Sequence, residues 1–178
     1  MAGLSERTPA PGAGCAVAWT GAIAAGLLEM VSAFAEDAEA EARAPILRVE
    51  LLEAGERELS SYGPVLAALR LPVGSAERER DLRAALSAAS ETPLDIARAT
   101  AEVAELAARV AAESTPSLRG DATAGTLLAE AATRAAARLV EINLRGESED
   151  GRVEEVARLS RRAAKARERA LGDDGTEA

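Results

Sequence analysis

An uncharged stretch near the start of the chain, residues 8–28, constrains the fold more than any other part of the sequence. Prolines stiffen its first part, and Gly12 and Gly14 allow backbone angles that other residues avoid. The pattern then predicts a helix from about Cys15 to Ala35, whose small side chains leave a flat face for close packing. The loop before the helix has backbone amides that can bind an anionic or polar group. We therefore expect a packing helix preceded by a binding loop.

The composition predicts that the rest of the chain is helical as well. Of 178 residues, 44 are alanine, and the chain has one Phe, one Tyr and one Trp. Alanine, glutamate, arginine and leucine favour helices, whereas sheets favour aromatic and β-branched residues. Because alanine buries little apolar area, such a core favours close helix packing and self-association. We predict an all-α, compact, Ala-rich multi-helix bundle, a single domain over residues 1–178 with its core at about 8–171 and a disordered tail at 172–178.

The charge and the missing residue types exclude several functions. A net charge of −9 argues against binding to nucleic acid or to anionic membranes. The chain has no histidine, which removes histidine triads and histidine metal sites, and its lone cysteine suits a reducing compartment. The first residues are barely basic, unlike a signal peptide, and the apolar run at 16–28 is shorter than the about 20 residues of a membrane span. We expect a cytoplasmic protein without metal or redox cofactor.

Proline, glycine and capping residues predict where the helices begin and end. Pro45 marks a break or a new helix start, and the Gly-Pro pair at 63–64 interrupts a helix. Residues 114–120 contain a proline and a glycine and are predicted to form a loop. The predicted N-terminal residues of later helices are Ser75, Thr92 (before Pro93), Asp121 and Asp150.

The opening segment also resembles a known family. Pro-Ala-Pro-Gly-Ala-Gly-Cys at residues 9–15, followed by a small-residue helix with Met-Val at 30–31, resembles the opening motif of the cyclodeaminase/cyclohydrolase family. This family includes the C-terminal domain of formiminotransferase-cyclodeaminase. Three later segments resemble the family in the same order, at residues 62–72, 92–94 and 120–144. Together the four segments span most of the chain.

The chain also departs from the family pattern at several positions. Ala13 replaces the middle glycine of the family loop, and Cys15 replaces a serine. Glu58, four residues before Tyr62, stands where the family has an aspartate. An acidic run at residues 36–41 stands where the family often has lysines. These departures leave the substrate open, because an acidic surface disfavours a carboxylate-rich ligand.

The resemblance implies an all-helical homodimer that acts on a folate one-carbon adduct. The reactions implied are closure of 5-formiminotetrahydrofolate to 5,10-methenyltetrahydrofolate with loss of ammonia, or hydration of the methenyl form. Two alternatives stay open. In the first, the chain is a diverged family member that binds a ligand or a partner protein. In the second, it is a non-folate cyclase or hydrolase of a specialised biosynthetic pathway.

Asp121 is the predicted catalytic residue, because one carboxyl can supply or accept the proton and this position aligns with a family aspartate. Its structural alternative is a plain helix cap. The predicted substrate-binding residues are Pro11, Gly12, Gly14, Cys15, Tyr62 and Arg78. Each of these also has an ordinary structural alternative: a flexible turn, a buried thiol, a packing aromatic or a surface charge. Trp19 is predicted to pack at a dimer seam.

Overall fold

The computed structural model describes Leu4, residues 12–147 and residues 149–172. Over these residues the chain forms seven α-helices and no strand, which confirms the all-α prediction. The helices are α1 (Ala13–Ala35), α2 (Ala38–Ser61), α3 (Gly63–Leu69), α4 (Ala76–Ala88), α5 (Glu91–Glu113), α6 (Pro116–Asn143) and α7 (Gly151–Leu171). Pro11 and the predicted tail from residue 173 onward lie outside the described residues.

Helix α5 lies at the centre of the bundle and is buried on most of its surface. It packs against α1, α2, α6 and α7, while α3 and α4 form a smaller cluster at one end. Small residues allow the central helices to approach closely. A Cβ atom at Gly21 would lie 2.5 Å from Cγ2 of Thr100, and one at Gly125 would lie 3.5 Å from the carbonyl oxygen of Ala24. The flat face predicted for α1 is therefore used for packing.

Helix α1 is long and apolar enough, by length and composition, to cross a membrane. Half of its most apolar window is buried inside the bundle, which is the expected position of a core helix in a helical domain. The packing of α1 against α2, α5 and α6 therefore explains why this helix is apolar.

Pro45 does not end a helix, so this prediction is wrong. Helix α1 ends at Glu36, whose φ of 53° is left-handed, and Asp37 then caps α2 by accepting a hydrogen bond from the amide of Ala40. Pro45 lies in the second turn of α2 without breaking it. The loss of one backbone hydrogen bond at Pro45 is offset by the packing of α2 along α1.

The predicted loop at residues 114–120 is also wrong, and with it the N-cap at Asp121. Helix α6 begins at Pro116, after Thr115, so Gly120 and Asp121 lie within the helix and Asp121 is exposed. Proline suits the first turn of a helix, and an internal glycine costs only about 1 kcal/mol, which the packing of α6 on α5 and α1 offsets.

Thr92 is not a cap either, because α5 begins one residue earlier, at Glu91. The other predicted boundaries are confirmed. Ser75 accepts a hydrogen bond from the amide of Arg78, and Asp150 accepts one from the amide of Arg152. A break separates α2 from α3 at Tyr62.

Candidate functional site

The ends of four helices meet at one cleft of about 210 Å³, which we call the glycine cleft. The start of α1 forms one wall, and the C-terminal ends of α2, α4 and α6 form the others. Its lining residues are Gly12, Ala13, Gly14, Glu58, Ser61, Tyr62, Ala89, Leu139 and Asn143. The fold therefore brings the predicted loop together with side chains up to 131 residues away in the sequence.

The carboxyl group of Glu58 occupies the space that the missing side chain of Gly14 leaves open. The Oε2 atom of Glu58 lies where a Cβ atom at Gly14 would collide with it. Its Oε1 atom is buried and has no hydrogen-bond partner among the described residues. Burial raises the pKa of Glu58, and the positive charge of Arg57 opposes this only in part. Glu58 is therefore an acid that keeps its proton to higher pH than an ordinary glutamate, as proton-transfer residues do.

The first turn of α1 offers hydrogen-bond donors to the same cleft. Its N-cap is Gly12, which has no side chain to bond the free amides, and the first turn carries no acidic residue. The first amides of a helix have no partner within the helix and carry a partial positive charge. A ligand oxygen in the cleft would thus find backbone donors on one side and the Glu58 carboxyl on the other.

Besides Glu58 and Ser61, the polar side chains of Asn143 and Tyr62 line the cleft. The Nδ2 atom of Asn143 donates a hydrogen bond to the carbonyl oxygen of Ala89 at 3.2 Å, which holds the amide at the end of α6 against the end of α4. Tyr62 caps α2 and is 41% exposed at the rim. Its flat ring is available to pack against a planar ligand.

Only some of the predicted site residues line this cleft. Gly12, Gly14 and Tyr62 do so. Cys15 is buried behind it, where its thiol donates a hydrogen bond to the carbonyl of Gly55 and burial raises its pKa, which is the opposite of a reactive thiol. Arg78 lies at the start of α4 and donates to the carbonyl of Leu71 at 2.9 Å.

Asp121 lies far from the cleft within one copy of the chain. It is 22 residues from Asn143 on the same helix, which corresponds to about 33 Å. The structure thus separates the predicted catalytic carboxyl from the predicted binding loop. The catalytic role of Asp121 stays a prediction.

The list of predicted site residues omitted Glu58 and Asn143, although the sequence carries a signal for each. Glu58 stands one helical turn before Tyr62, at the position of a family aspartate. Asn143 lies in the Ile-Asn-Leu segment at residues 142–144, at the far end of the helix that begins before Asp121. What the sequence did not indicate was that these two helix ends converge on the Gly12 loop.

The described residues define an all-α domain with a half-buried carboxyl, one oxygen of which has no partner, beside the first amides of a helix. The sequence profile of the family described as formiminotransferase-cyclodeaminase matches residues 1–162 of the chain. The chain therefore belongs to this family.

A relative of known activity and a solved structure agree with this assignment. The methenyltetrahydrofolate cyclohydrolase of Methylorubrum extorquens is 30% identical over 159 residues, covering 81% of this chain and 76% of the relative. The crystal structure of formiminotetrahydrofolate cyclodeaminase from Thermotoga maritima superimposes with a TM-score of 0.81 at 24% identity, covering 94% of this chain and 89% of that one. The structural likeness establishes the fold.

Proposed function

We propose that the protein is an enzyme that opens or closes the one-carbon bridge of tetrahydrofolate, by hydrating 5,10-methenyltetrahydrofolate or by closing 5-formiminotetrahydrofolate. The observation that carries the proposal is the Glu58 carboxyl, which occupies the space left by Gly14 and whose buried Oε1 atom has no hydrogen-bond partner among the described residues. The family match and the activity named for the Methylorubrum relative support the same chemistry.

In the hydration reaction, Glu58 is the group that moves the proton. Water adds to the bridging carbon and gives one proton to the carboxylate, and this proton passes to the ring nitrogen when its bond to carbon breaks. The new hydroxyl group loses its remaining proton to solvent as its oxygen forms the formyl C=O bond. In the closure reaction, the arylamine nitrogen beside the ring attacks the formimino carbon and its N–H proton passes to the former imino nitrogen. The protonated carboxyl then supplies the second proton, and ammonia leaves as its bond to carbon breaks. General acid–base catalysis of this kind contributes about 10²–10⁴-fold to a rate. A carboxyl with a raised pKa holds its proton more tightly than an ordinary glutamate, and the same group can act as the base in hydration and as the acid in closure.

The helix amides and the rim residues orient the substrate. The amides at the start of α1 face a substrate oxygen, and Tyr62 and Asn143 bound the cleft around the reacting ring. Holding the attacking atom close to the carbon supplies a large part of the rate, because the entropy of encounter is lost at binding.

The test is a direct assay of the purified protein with both folates. Loss of 5,10-methenyltetrahydrofolate absorbance above the uncatalysed rate, or its appearance from 5-formiminotetrahydrofolate with release of ammonia, is the expected result. If neither folate is converted faster than in buffer, the folate function is wrong.

One observation favours a second candidate, a cyclase or hydrolase of a smaller cationic amidine. No lysine or arginine lines the glycine cleft, so the described lining has no partner for the glutamate tail of a folate. A simple cyclic amidinium has no such tail, and its positive charge suits the Glu58 carboxylate. Turnover of a cyclic formamidinium salt at a higher kcat/KM than methenyltetrahydrofolate would favour this candidate.

We also propose that the protein is a cytoplasmic homodimer that associates through the outward face of α1. The buried single thiol fits a reducing compartment. The outward face carries Ile23, Met30 and Phe34, which are 60%, 40% and 71% exposed, and no charged residue lies between them on that face. Contiguous exposed apolar surface of this kind is typical of an interface. Light scattering should give a dimer mass, and Ile23→Glu should give a monomer.

A further inference from the structure

A groove between α6 and α7 carries positive charge, although the net charge of the chain is −9. Its volume is about 810 Å³, within the about 300–1,000 Å³ that small-molecule sites usually enclose. Two glutamates and several alanines also line the groove, so that the arginines outnumber the carboxylates. We call it the arginine groove after the four arginines that line it, Arg134, Arg138, Arg161 and Arg167.

Glu130 is a buried carboxylate in the lining of the arginine groove and is only 5% exposed. Its Oε1 atom is buried and has no hydrogen-bond partner among the described residues. The Nη1 atoms of Arg134 and Arg167 lie 3.5 and 3.8 Å from this oxygen, beyond the about 2.7–2.9 Å of a charge-assisted hydrogen bond. Because a buried carboxylate without hydrogen bonds is costly, an arrangement that brings the two guanidinium groups closer is favoured.

An arginine can bind a buried carboxylate and a ligand anion at the same time, because its planar guanidinium group carries five N–H donors. Arg134 is exposed and Arg167 is partly exposed, so both have N–H groups that a ligand in the groove can reach. An anion that bridges the two guanidinium groups would bring both within hydrogen-bond distance of Oε1 of Glu130. The buried carboxylate thus holds the two arginines for a ligand.

The arginines are spread along the groove. On α6, Arg134 and Arg138 follow Glu130 by one and two turns, which places Arg138 about 12 Å further along the helix. Helix α7 runs antiparallel, because Ala170 lies beside Thr123 whereas Arg167 lies beside Glu130. Arg161 therefore lies further toward Arg138. A row of cations of this length exceeds one phosphate or carboxylate group and suits several anionic groups in a chain.

We propose that the arginine groove binds a chain of two or three phosphates, carried by a nucleotide or free in solution, and that Glu130 is the positioning residue for Arg134 and Arg167. Phosphate groups match the forked geometry of guanidinium groups, and the alanines leave apolar surface for a nucleoside. The site is separate from the glycine cleft, because Arg138 and the cleft residue Leu139 point about 100° apart around α6. It therefore does not depend on the proposed reaction.

Isothermal titration calorimetry with ATP, inorganic triphosphate and adenosine tests the site. At least one of the two phosphates should bind with a Kd below about 1 mM, and adenosine should not bind. Tighter binding of ATP than of triphosphate would identify a nucleotide as the ligand, and equal binding would identify a free phosphate chain. If neither phosphate binds at this concentration, the proposal is wrong.

Arginine variants locate the binding. Arg134→Gln and Arg167→Gln should each weaken phosphate binding about 10-fold or more, because each removes charged hydrogen bonds. Arg119→Gln is the matched control, since it removes the same charge from an exposed position of α6 about 16 Å from Glu130. This distance exceeds the Debye length, so the Kd should stay within about 2-fold of the wild-type value. Equal Kd values in Arg134→Gln, Arg167→Gln and the wild type would overturn the proposed site.

Two carboxylate variants distinguish positioning from simple attraction. Glu130→Gln and Glu141→Gln each remove one negative charge from the groove. Glu141→Gln should tighten phosphate binding, because it frees Arg138, which Glu141 binds at 2.9 Å. Glu130→Gln should weaken binding at least about 3-fold despite the same charge change, because the two arginines lose their buried partner. Tighter binding in a folded Glu130→Gln protein would overturn the positioning role. If this variant does not fold, the exposed arginine variants still decide whether the site exists.

Discussion

Two acidic side chains near opposite ends of α1 differ in their hydrogen-bond partners and in the direction of their pKa shift. At the C-terminal end, Asp37 caps α2 and also accepts two hydrogen bonds from Arg109. Although burial alone would raise the pKa of Asp37, the Ala40 amide and Arg109 lower it. At the N-terminal end, Glu58 is half-buried, its Oε1 atom is buried without a hydrogen-bond partner, and burial raises its pKa.

The two carboxyl groups differ in whether the chain itself supplies their hydrogen-bond partners. A carboxylate whose bonds are all satisfied by its own chain stabilises the fold and has no capacity left for a ligand. A desolvated carboxyl without partners costs stability and is ready to exchange a proton. Within the acidic run at residues 36–41, Asp37 and Glu39 are carboxylates with partners in the chain. Glu39 also pairs with Arg109, at 2.7 Å.

The largest expected effect is on catalysis at Glu58. Glu58→Gln keeps the shape and removes the proton, so kcat for either folate should fall at least about 100-fold. Glu58→Asp, the residue of the family pattern, should retain measurable turnover. Asp37→Asn should leave kcat per folded molecule unchanged. If kcat fell by the same factor in Glu58→Gln and in Asp37→Asn, the two acids would not differ in their role in catalysis.

A smaller loss is expected at the glycine that makes room for Glu58. A Cβ atom at Gly14 would overlap the carboxyl group, so Gly14→Ala should push Glu58 out of the cleft and lower kcat/KM about 10-fold or more. The circular dichroism spectrum should stay helical, because a flexible side chain absorbs the shift. Cys15→Ser, the adjacent change, should keep both activity and helicity. Full activity in Gly14→Ala would argue that Glu58 acts from another position.

At the other end of α1 the expected effect is on stability alone. Asp37→Ala removes a helix cap and a partner of Arg109, and should lower the free energy of unfolding by about 1–2 kcal/mol. Urea denaturation of the two proteins measures this difference. An unchanged midpoint would mean that the cap and the ion pair contribute nothing.

The smallest effect is a pH dependence of stability that Glu58 introduces. Its pKa is raised in the folded state, so its favourable contribution is complete below the unfolded value and is lost as pH rises through the folded pKa. Glu58→Gln has no such group. The melting temperature of Glu58→Gln should therefore increase relative to that of the wild type as pH rises from about 4 to 8. If the melting temperatures of the two proteins change with pH in the same way, the raised pKa of Glu58 is contradicted.

Much of this fold was predictable because local chemistry decides it. The small residues of α1, the Ser75 and Asp150 caps and the break before Pro64 follow from residue properties over one or two turns. The family, too, was recognisable from four segments in order. Gly12, Gly14 and Tyr62 of the predicted binding residues line the cleft, and their role in substrate binding stays a prediction.

Packing over longer distances decided the rest. From the sequence alone it was predictable that the chain is helical and where several helices begin. The tertiary structure was needed to show that α2 continues through Pro45 and that α6 includes Asp121. In both helices, packing against neighbouring helices offsets the free-energy cost of an internal proline or glycine. The tertiary structure also decided that Glu58 is the acid in the cleft. A pKa depends on the solvent and partners that a side chain loses, and these become defined only when the ends of four helices meet.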